Sequence, residues 1–154
     1  MLCLVFQLDR ARYALDARHA LAVLPYLPLQ PVPQAPPALA GLFHYRGQPV
    51  PALDLAQLTC GRPAREWLST RIILIQPPTA AGPPRLTGLI AEQATSTLRC
   101  DPAQFTEPAL GAARAPYLGP VRWDEHGPLQ LLHPEHLLAP PTRTALGAGF
   151  NVEG

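Results

Sequence analysis

Proline is the residue that most constrains what this chain can fold into. The sequence holds 21 prolines among 154 residues, and six of them fall between positions 25 and 37. Since an interior proline removes a helix hydrogen bond and costs about 3 kcal/mol or more, this density argues against a helical bundle. We expect residues 25–37 to form an extended connection with few backbone donors.

The remaining composition is that of a globular chain with frequent loops. Hydrophobic residues make up 47% of the sequence and charged residues 15%. A chain of this size buries roughly 68–70% of its unfolded surface, so a core needs neither a metal nor a disulfide. The length allows a single domain or two small fused barrels.

Charge and cysteine usage exclude several classes of partner. Twelve arginines and no lysine balance eleven acidic residues, giving a net charge of +1 without a dense basic run, so nucleic acid is not an expected partner. The three cysteines, at positions 3, 60 and 100, have no CxxC spacing and suit reduced thiols in packing positions. The apolar run at residues 2–6 is too short for a signal peptide, and no stretch reaches bilayer-spanning length. We expect a cytoplasmic protein without membrane insertion.

Short apolar runs separated by turn residues predict a β-rich fold. Residues 2–8 and 13–15 read as a hairpin, residues 42–46 and 49–55 as a second hairpin around Gly47-Gln48, and residues 117–123 and 129–132 as a final one. Further strands are predicted at 71–76, 86–92 and 94–98, while 19–24 fits either a strand or a helix. Nine or ten short strands are typical of small β-barrels. Prolines at 49 and 51 predict that the second hairpin's return strand is paired on one side only.

Proline and glycine also suggest where helices and boundaries lie. Residues 36–41 begin with two prolines and end in glycine, which predicts a short helix, and 134–138 has the same kind of start. The polar stretch 59–69 is a candidate boundary between two halves of a domain spanning 1–139. Segment 101–116 reads as irregular, and the tail 140–154 as loosely ordered.

No arrangement of residues points clearly to catalysis or to a cofactor. His126, His133 and His136 suggest a metal site, but no third ligand has zinc-like spacing and a proline separates the last two. The GxSxG, P-loop and GxGxxG motifs are absent, so we expect no cofactor, while an enzyme of an unfamiliar kind stays open at this point. Asp54 fits a helix cap as well as an acid–base role, and Glu92 reads as the outward position of a strand.

Arg46 is the charged residue that stands out. It lies between Tyr45 and Gly47 on the predicted hairpin rim. A solvated strand-end arginine and an interface residue are both open, since arginine beside an aromatic ring is an enriched interface pair.

Residues 33–55 resemble the signature of the CheW-like family of chemotaxis coupling proteins. Positions 33–36 read Pro-Gln-Ala-Pro, 41–47 read Gly-Leu-Phe-His-Tyr-Arg-Gly, and 50–55 read Val-Pro-Ala-Leu-Asp-Leu. The family's pattern is Pro-x-Ala-Pro, then Gly-apolar-x-x-x-Arg-Gly, then Val-Pro-x-x-Asp-Leu. The resemblance extends over roughly residues 2–139.

The resemblance implies an all-β fold: two five-stranded SH3-like barrels packed side by side, with a hydrophobic core between them and short helices in the connections. It implies no catalytic activity. Members couple the cytoplasmic tip of a chemoreceptor to the regulatory domain of a CheA-type histidine kinase, with the receptor helix in a groove between the barrels. The residues expected at this receptor groove are Gly41, Arg46, Tyr45, His44, Val23, Leu24, Phe43 and Ile90.

The chain also departs from the family pattern. Ala22 stands where the family commonly has a glutamate that would pair with the hairpin arginine, so Arg46 is either solvated or free for a partner's carboxylate. His44 and Tyr45 replace an asparagine and a leucine, and His133 replaces an aspartate. These changes suggest a specialised coupling protein, such as one for a surface-sensing array.

Two alternatives remain open at this point. One is a small β-barrel that binds a metal or small ligand through the C-terminal histidines. The other keeps the fold but makes the protein a regulatory paralogue that competes for the kinase without activating it.

Overall fold

The computed structural model describes residues 1–77, 85–108 and 115–137. These residues form ten strands, one short α-helix and three 3-10 turns. The strands are β1 (Leu2–Leu8), β2 (Ala11–Asp16), β3 (Ala20–Pro25), β4 (Leu39–Tyr45), β5 (Gln48–Asp54), β6 (Arg71–Ile75), β7 (Thr87–Ala91), β8 (Ser96–Arg99), β9 (Leu118–Asp124) and β10 (Gly127–Leu132). The helix is α1 (Leu55–Cys60), and the 3-10 turns are Ala17–His19, Pro102–Gln104 and Pro134–His136.

The strands form two five-stranded sheets whose sequence segments are interleaved. The first sheet has the order β8-β1-β2-β10-β9, and the second has the order β3-β6-β7-β5-β4. The chain therefore starts in the first sheet, builds the whole second sheet, and returns. The predicted all-β class with two five-stranded subdomains is confirmed. The expected boundary at 59–69, however, begins in the last residues of α1 and ends before β6, and the strands on both sides of it, β5 and β6, belong to the second sheet.

The described residues pack around three apolar cores. One lies within the second sheet, around Phe43 and Ile72, and a smaller one lies within the first, around Cys3 and Leu129. The largest contains residues of both sheets, including Phe6 and Ile73. The hydrophobic core predicted between the halves is therefore present.

Strand β6 shows how the sequence encodes this arrangement. Ile72 and Leu74 belong to the core of the second sheet, whereas Ile73 and Ile75 belong to the shared core. Successive side chains of a strand point to opposite faces, so a strand with a core on each side must be apolar throughout. The uninterrupted Ile-Ile-Leu-Ile run meets that requirement.

The three predicted hairpins form, with one shift in a turn. In the second hairpin Tyr45 pairs with Gln48, so the turn residues are Arg46 and Gly47 rather than Gly47 and Gln48. The ambiguous segment 19–24 is strand β3, which has a register irregularity between Ala20 and Ala22 where it pairs with β6.

The short helix predicted at 36–41 is wrong. Residues after Pro36 make a single turn, in which the Leu39 amide donates to the Pro36 carbonyl at 3.0 Å, and β4 begins at Leu39. Gly41 lies inside that strand, where a Cβ would come within 2.6 Å of the Gln30 carbonyl oxygen. The glycine thus serves the close crossing of two chain segments rather than the end of a helix.

The one-sided pairing predicted for β5 holds only for its first half. Beyond Pro51, residues Ala52–Asp54 pair in parallel with Gly88–Ile90 of β7, and Ala52 and Leu53 also pair with β4 on the other side. The missing amides of Pro49 and Pro51 affect only the positions where they stand, because a strand regains its donors at the next non-proline residue.

The remaining predictions concern connections. The predicted C-terminal helix is the 3-10 turn Pro134–His136, and most of 25–37 is extended, with one bridge at Gln30. Parts of the loop 77–84 and of segment 101–116, and the whole tail 140–154, lie outside the described residues. No helix in the described ranges is long and apolar enough to cross a membrane.

Candidate functional site

The β4–β5 hairpin holds Arg46 in a left-handed backbone conformation that arginine does not favour. Arg46 has φ +50° and Gly47 has φ +80°, as in a type I′ turn, where both central residues are left-handed. A left-handed residue with a side chain costs about 1–2 kcal/mol, and asparagine or glycine bears this best. An arginine at this position is therefore not explained by turn chemistry.

The Arg46 side chain is exposed and lies over its neighbour's ring, with the guanidinium carbon 5.3 Å from the centroid of Tyr45. Among the described residues no carboxylate forms an ion pair with it, whereas other arginines do form ion pairs. Ala22 packs against the core of the second sheet and supplies no acid. The hairpin rim therefore presents a guanidinium available to an external carboxylate.

The other residues expected at the receptor groove divide by exposure. Val23 and His44 are exposed, while Leu24 and Tyr45 are half-buried against the core of the second sheet. The structure places the remaining three in the interior: Gly41, Phe43 and Ile90. These three have little surface to offer a partner, so they support the hairpin from beneath. The apolar pattern of the sequence alone could not distinguish such supporting residues from residues that line a groove.

A crease lies where the two sheets meet and holds a cavity of about 400 Å³. Its lining comes from three places in the chain: the entry to β3, the end of β6, and the 3-10 turn after β10. The lining residues are Arg18, His19, Leu21, Ile75, Gln76, Pro77, Pro134 and Glu135. We call this the crease from here on.

Most of the crease could not be read from the sequence. Leu21 lies at the irregularity of β3 between Ala20 and Ala22, and its side chain is 57% exposed. Val23, further along the same strand, is 45% exposed. A bulge re-aims one side chain without leaving a compositional trace, and Pro134 and Glu135 join the crease from more than a hundred residues away.

The two charged side chains of the crease differ in their hydrogen bonding. Arg18 pairs with Asp16 at 2.7 Å, and this hydrogen bond holds the pKa of the Asp16 carboxyl below its usual value. Glu135 has one carboxylate oxygen, Oε1, that is sealed from solvent and has no hydrogen-bond partner among the described residues.

A second exposed apolar surface lies on the loop before β6. Leu68 is 97% exposed, and the neighbouring Trp67 is 44% exposed. The loop is nevertheless held in place: the Trp67 amide donates to Thr70 Oγ1 and the Thr70 amide donates back to the Trp67 carbonyl, while the Arg65 guanidinium lies 5.2 Å from the Trp67 ring. An ordered loop that exposes two large apolar side chains is typical of a contact surface.

Glu92 was expected to face outward from a strand, and that expectation is wrong. The residue is fully buried and accepts hydrogen bonds from the Arg62 guanidinium at 2.6 and 3.0 Å and from the Arg65 amide at 2.7 Å. Burial raises the pKa of the Glu92 carboxyl, but these donors outweigh it and leave the pKa lowered. Arg62 also binds Asp9 at 2.8 Å, so the group is a structural clamp rather than an acid–base pair.

Asp54 has the capping role that the sequence left open. Its carboxylate accepts from the Gln57 amide at the start of α1 and from the Ala64 amide. Both carboxylate oxygens thus accept hydrogen bonds from backbone amides, which makes Asp54 a structural cap.

The histidines and cysteines do not assemble into a site. The rings of His133 and His136 are 6.1 Å apart and nearly perpendicular, while His126 is on the β9–β10 turn beside Glu125. Within the described ranges no three His, Cys, Asp or Glu side chains are placed to hold a metal. All three cysteines are free, with Cys60 exposed and the other two buried.

The fold of two five-stranded sheets is similar to that of a solved structure. The scaffolding protein TtCheW from Thermoanaerobacter tengcongensis superposes with a TM-score of 0.74 at 18% identity, covering 86% of this chain and 83% of that chain. The sequence model described as CheW-like domain matches residues 2–141. The chain therefore belongs to the CheW-like family. Comparison with curated proteins gave no match.

Proposed function

We propose that this protein is a non-catalytic adaptor that couples chemoreceptors to a CheA-type histidine kinase in the cytoplasm, in chemotaxis or surface sensing. Membership of the CheW-like family supports the general role. The observation that carries the proposal is the exposed guanidinium of Arg46, held on a turn whose backbone geometry disfavours it and paired with no described carboxylate.

The crease is the proposed seat of the receptor helix. An amphipathic helix in a groove needs an apolar lining and a few polar anchors. In the crease the exposed apolar side chain is Leu21, while Ile75 and Pro77, which also line it, are buried. Val23 extends the apolar surface along β3. Arg46 is the proposed polar contact to a receptor carboxylate.

The kinase regulatory domain is proposed to bind elsewhere, at the loop that exposes Trp67 and Leu68. This loop precedes β6, whereas the crease lies at the end of the same strand, beside Ile75. An adaptor needs two surfaces that can be occupied together, and the length of β6 separates these two.

The test is direct binding of two purified fragments, a chemoreceptor cytoplasmic tip and a CheA-type regulatory domain, measured by calorimetry. Arg46→Glu should weaken receptor binding by about tenfold or more and leave kinase binding unchanged. The difference should shrink as ionic strength rises, since exposed charges act through screened attraction. Leu68→Ser should have the opposite selectivity.

A matched control is Arg10→Glu, which reverses the charge of another exposed hairpin arginine, on the β1–β2 turn. It should affect neither interaction. Failure of the natural protein to bind either fragment would contradict the proposed function.

A further inference from the structure

Strand β3 is an open and uncharged edge of the second sheet. It pairs with β6 on one side. Among the described residues no other strand and no other backbone hydrogen bond reaches residues 21–25. An open strand edge is a template on which another strand can pair, so proteins usually cover or charge such edges. The open edge of β3 is therefore a candidate contact surface.

The other three edge strands of the two sheets are protected. Gln30 covers β4 through two backbone hydrogen bonds with Leu42, both of 2.8 Å, and Thr106 covers β9 in the same way through Val121, at 2.9 and 2.8 Å. Strand β8 is four residues long and carries polar side chains and Arg99. By contrast, β3 reads Ala-Leu-Ala-Val-Leu-Pro. Of the edges in the described residues, that of β3 alone has neither a cover nor a charge.

Two features of β3 limit where another strand can pair. The register irregularity at Leu21 distorts the start of the strand, and Pro25 at its end has no amide to donate. The regular edge between them is centred on Val23. The side chains of Leu21 and Val23 are exposed on the outer face, whereas Ala22 and Leu24 pack against the core of the second sheet.

We propose that the occupant of this edge is β3 of a second copy of the chain, paired antiparallel with Val23 opposite Val23. A helix cannot take this place, because its backbone groups are already bonded within the helix. The pairing is symmetric, so each copy covers the open edge of the other and the assembly closes as a dimer. Directly opposite residues of an antiparallel pair lie on the same face, so this register keeps the exposed Leu21 and Val23 of both copies together.

The charges around β3 are compatible with this symmetric pairing. The strand itself carries no charge, so two copies meet without repulsion. In an antiparallel pair the start of one strand lies beside the end of the other. Arg18, which is exposed and binds Asp16, precedes β3. Tyr26 follows β3, and burial and then the nearby carboxylate of the exposed Glu66 raise the pKa of its hydroxyl. The guanidinium of one copy thus lies on the side of the carboxylate of the other.

The first experiment traps the register by disulfide formation in the full chain. All variants carry Cys60→Ser, which removes the exposed thiol. Val23→Cys should form a disulfide-linked dimer in a glutathione redox buffer, because opposite Cα atoms of an antiparallel pair are about 4.5–5.5 Å apart. Leu21→Cys is the matched control on the same exposed face. Its two copies are about 13 Å apart along the strand in this register, so it should cross-link about tenfold more slowly or not at all.

Sedimentation equilibrium of the natural protein measures the same contact without a cross-link. We expect a monomer–dimer equilibrium. Val23→Lys should move its midpoint about tenfold or more to higher concentration, because two like charges then lie opposite each other. A mixture of Val23→Lys and Val23→Glu should recover the dimer, which also shows that both variants are folded. Trp123→Lys, at an exposed position of β9, should leave the equilibrium unchanged.

Three results would overturn the inference. One is equal cross-linking of Val23→Cys and Leu21→Cys, and another is a dimer that Val23→Lys leaves intact. The third is a natural protein that sediments as a monomer at every concentration, as it would if another segment of the same chain or a strand of a different protein covered β3. No receptor or kinase fragment enters these experiments, so their failure is distinct from failure of the proposed function.

Discussion

The Arg62 guanidinium donates to both carboxylate oxygens of Glu92, at 2.6 and 3.0 Å. Glu92 follows β7 of the second sheet, and Arg62 follows α1. Since Arg62 also binds Asp9 at 2.8 Å, on the β1–β2 turn, the pair ties the second sheet to the first. The relative position of the sheets, and with it the crease, depends on this clamp as well as on the shared apolar core.

Removing the arginine should destabilise the protein markedly. Arg62→Ala leaves Glu92 buried without its main counter-charge, for which we expect a loss of about 2–3 kcal/mol in unfolding free energy. This is less than for a fully enclosed pair because the Arg62 side chain is 22% exposed. Urea denaturation at pH 7 measures this loss of unfolding free energy. The double variant Arg62→Ala/Glu92→Ala should lose less unfolding free energy than the sum of the losses of the two single variants. Additive losses would show that the two residues are not coupled.

Stability should fall in acid. Hydrogen bonds from Arg18 and Arg12 lower the pKa values of Asp16 and Asp124, and the Glu92 pKa is lowered despite its burial. Groups with a lowered pKa in the folded state contribute stability above their unfolded pKa, near 4, and lose it as the pH falls through the folded value.

Urea midpoints between pH 7 and pH 2 should therefore decrease below about pH 4. Arg62→Ala should show a shallower decrease, because burial then raises the Glu92 pKa with less opposition. An identical pH profile for the natural protein and Arg62→Ala would contradict the assigned role of this pair.

Arg46→Asn should separate turn geometry from recognition. Asparagine accepts left-handed backbone more readily than arginine, so we expect the unfolding free energy to stay the same or rise by up to about 1 kcal/mol. Receptor-fragment binding should nevertheless weaken, because the guanidinium is gone. A variant that both binds and folds like the natural protein would remove Arg46 from the proposed contact.

Gly41→Ala should cost stability through a backbone clash. The added Cβ would be 2.6 Å from the Gln30 carbonyl oxygen, and backbone has little freedom to move away, so we expect a loss of about 1–3 kcal/mol. Gly47→Ala is the comparison: no atom lies within 4 Å of its Cβ position, and only the left-handed φ opposes it, at about 1 kcal/mol. Thermal unfolding of both variants checks the order; equal losses would argue against the clash.

One of the three thiols should react quickly. Cys60 is exposed, whereas Cys3 and Cys100 are buried, and burial together with the neighbouring Cys100 raises the pKa of Cys3 to about 12. Ellman's reagent at pH 8 should therefore label a single thiol rapidly and the other two only as the protein unfolds. Cys60→Ser should abolish the fast phase, and a fast phase that survives this change would contradict the assignment.

Local patterns were enough to predict most of the strands. The β-branched run of β6 and the turn residues of the hairpins reflect local conformational preferences, and the fold has the strands and turns that these preferences predict. Prediction failed where the environment of a residue depends on contacts with residues that are distant in the sequence. Glu92 looked like an outward position because its partner Arg62 is 30 residues away, and residues 36–41 looked helical because the Gly41–Gln30 crossing is invisible locally.

The candidate site was only partly predictable for the same reason. Arg46 was identified from a turn signal and a family motif, both of which are local. The crease was not, since its walls come from β3, β6 and the turn after β10, and since a bulge exposes Leu21. The boundary expected at 59–69 was also not predictable in this way. Composition indicates where loops lie, but it does not indicate to which of the two interleaved sheets the strands on either side belong.

The central claim is that this protein holds a receptor and a kinase at the same time through separate surfaces. Sedimentation velocity of the receptor-tip fragment, the CheA-type regulatory domain and this protein, alone and together, tests it most directly. We predict a ternary species that disappears without this protein. With Arg46→Glu only a complex with the kinase domain should form. With Leu68→Ser only a complex with the receptor fragment should form. Competition between the two fragments, so that only binary complexes form at any ratio, would contradict the account.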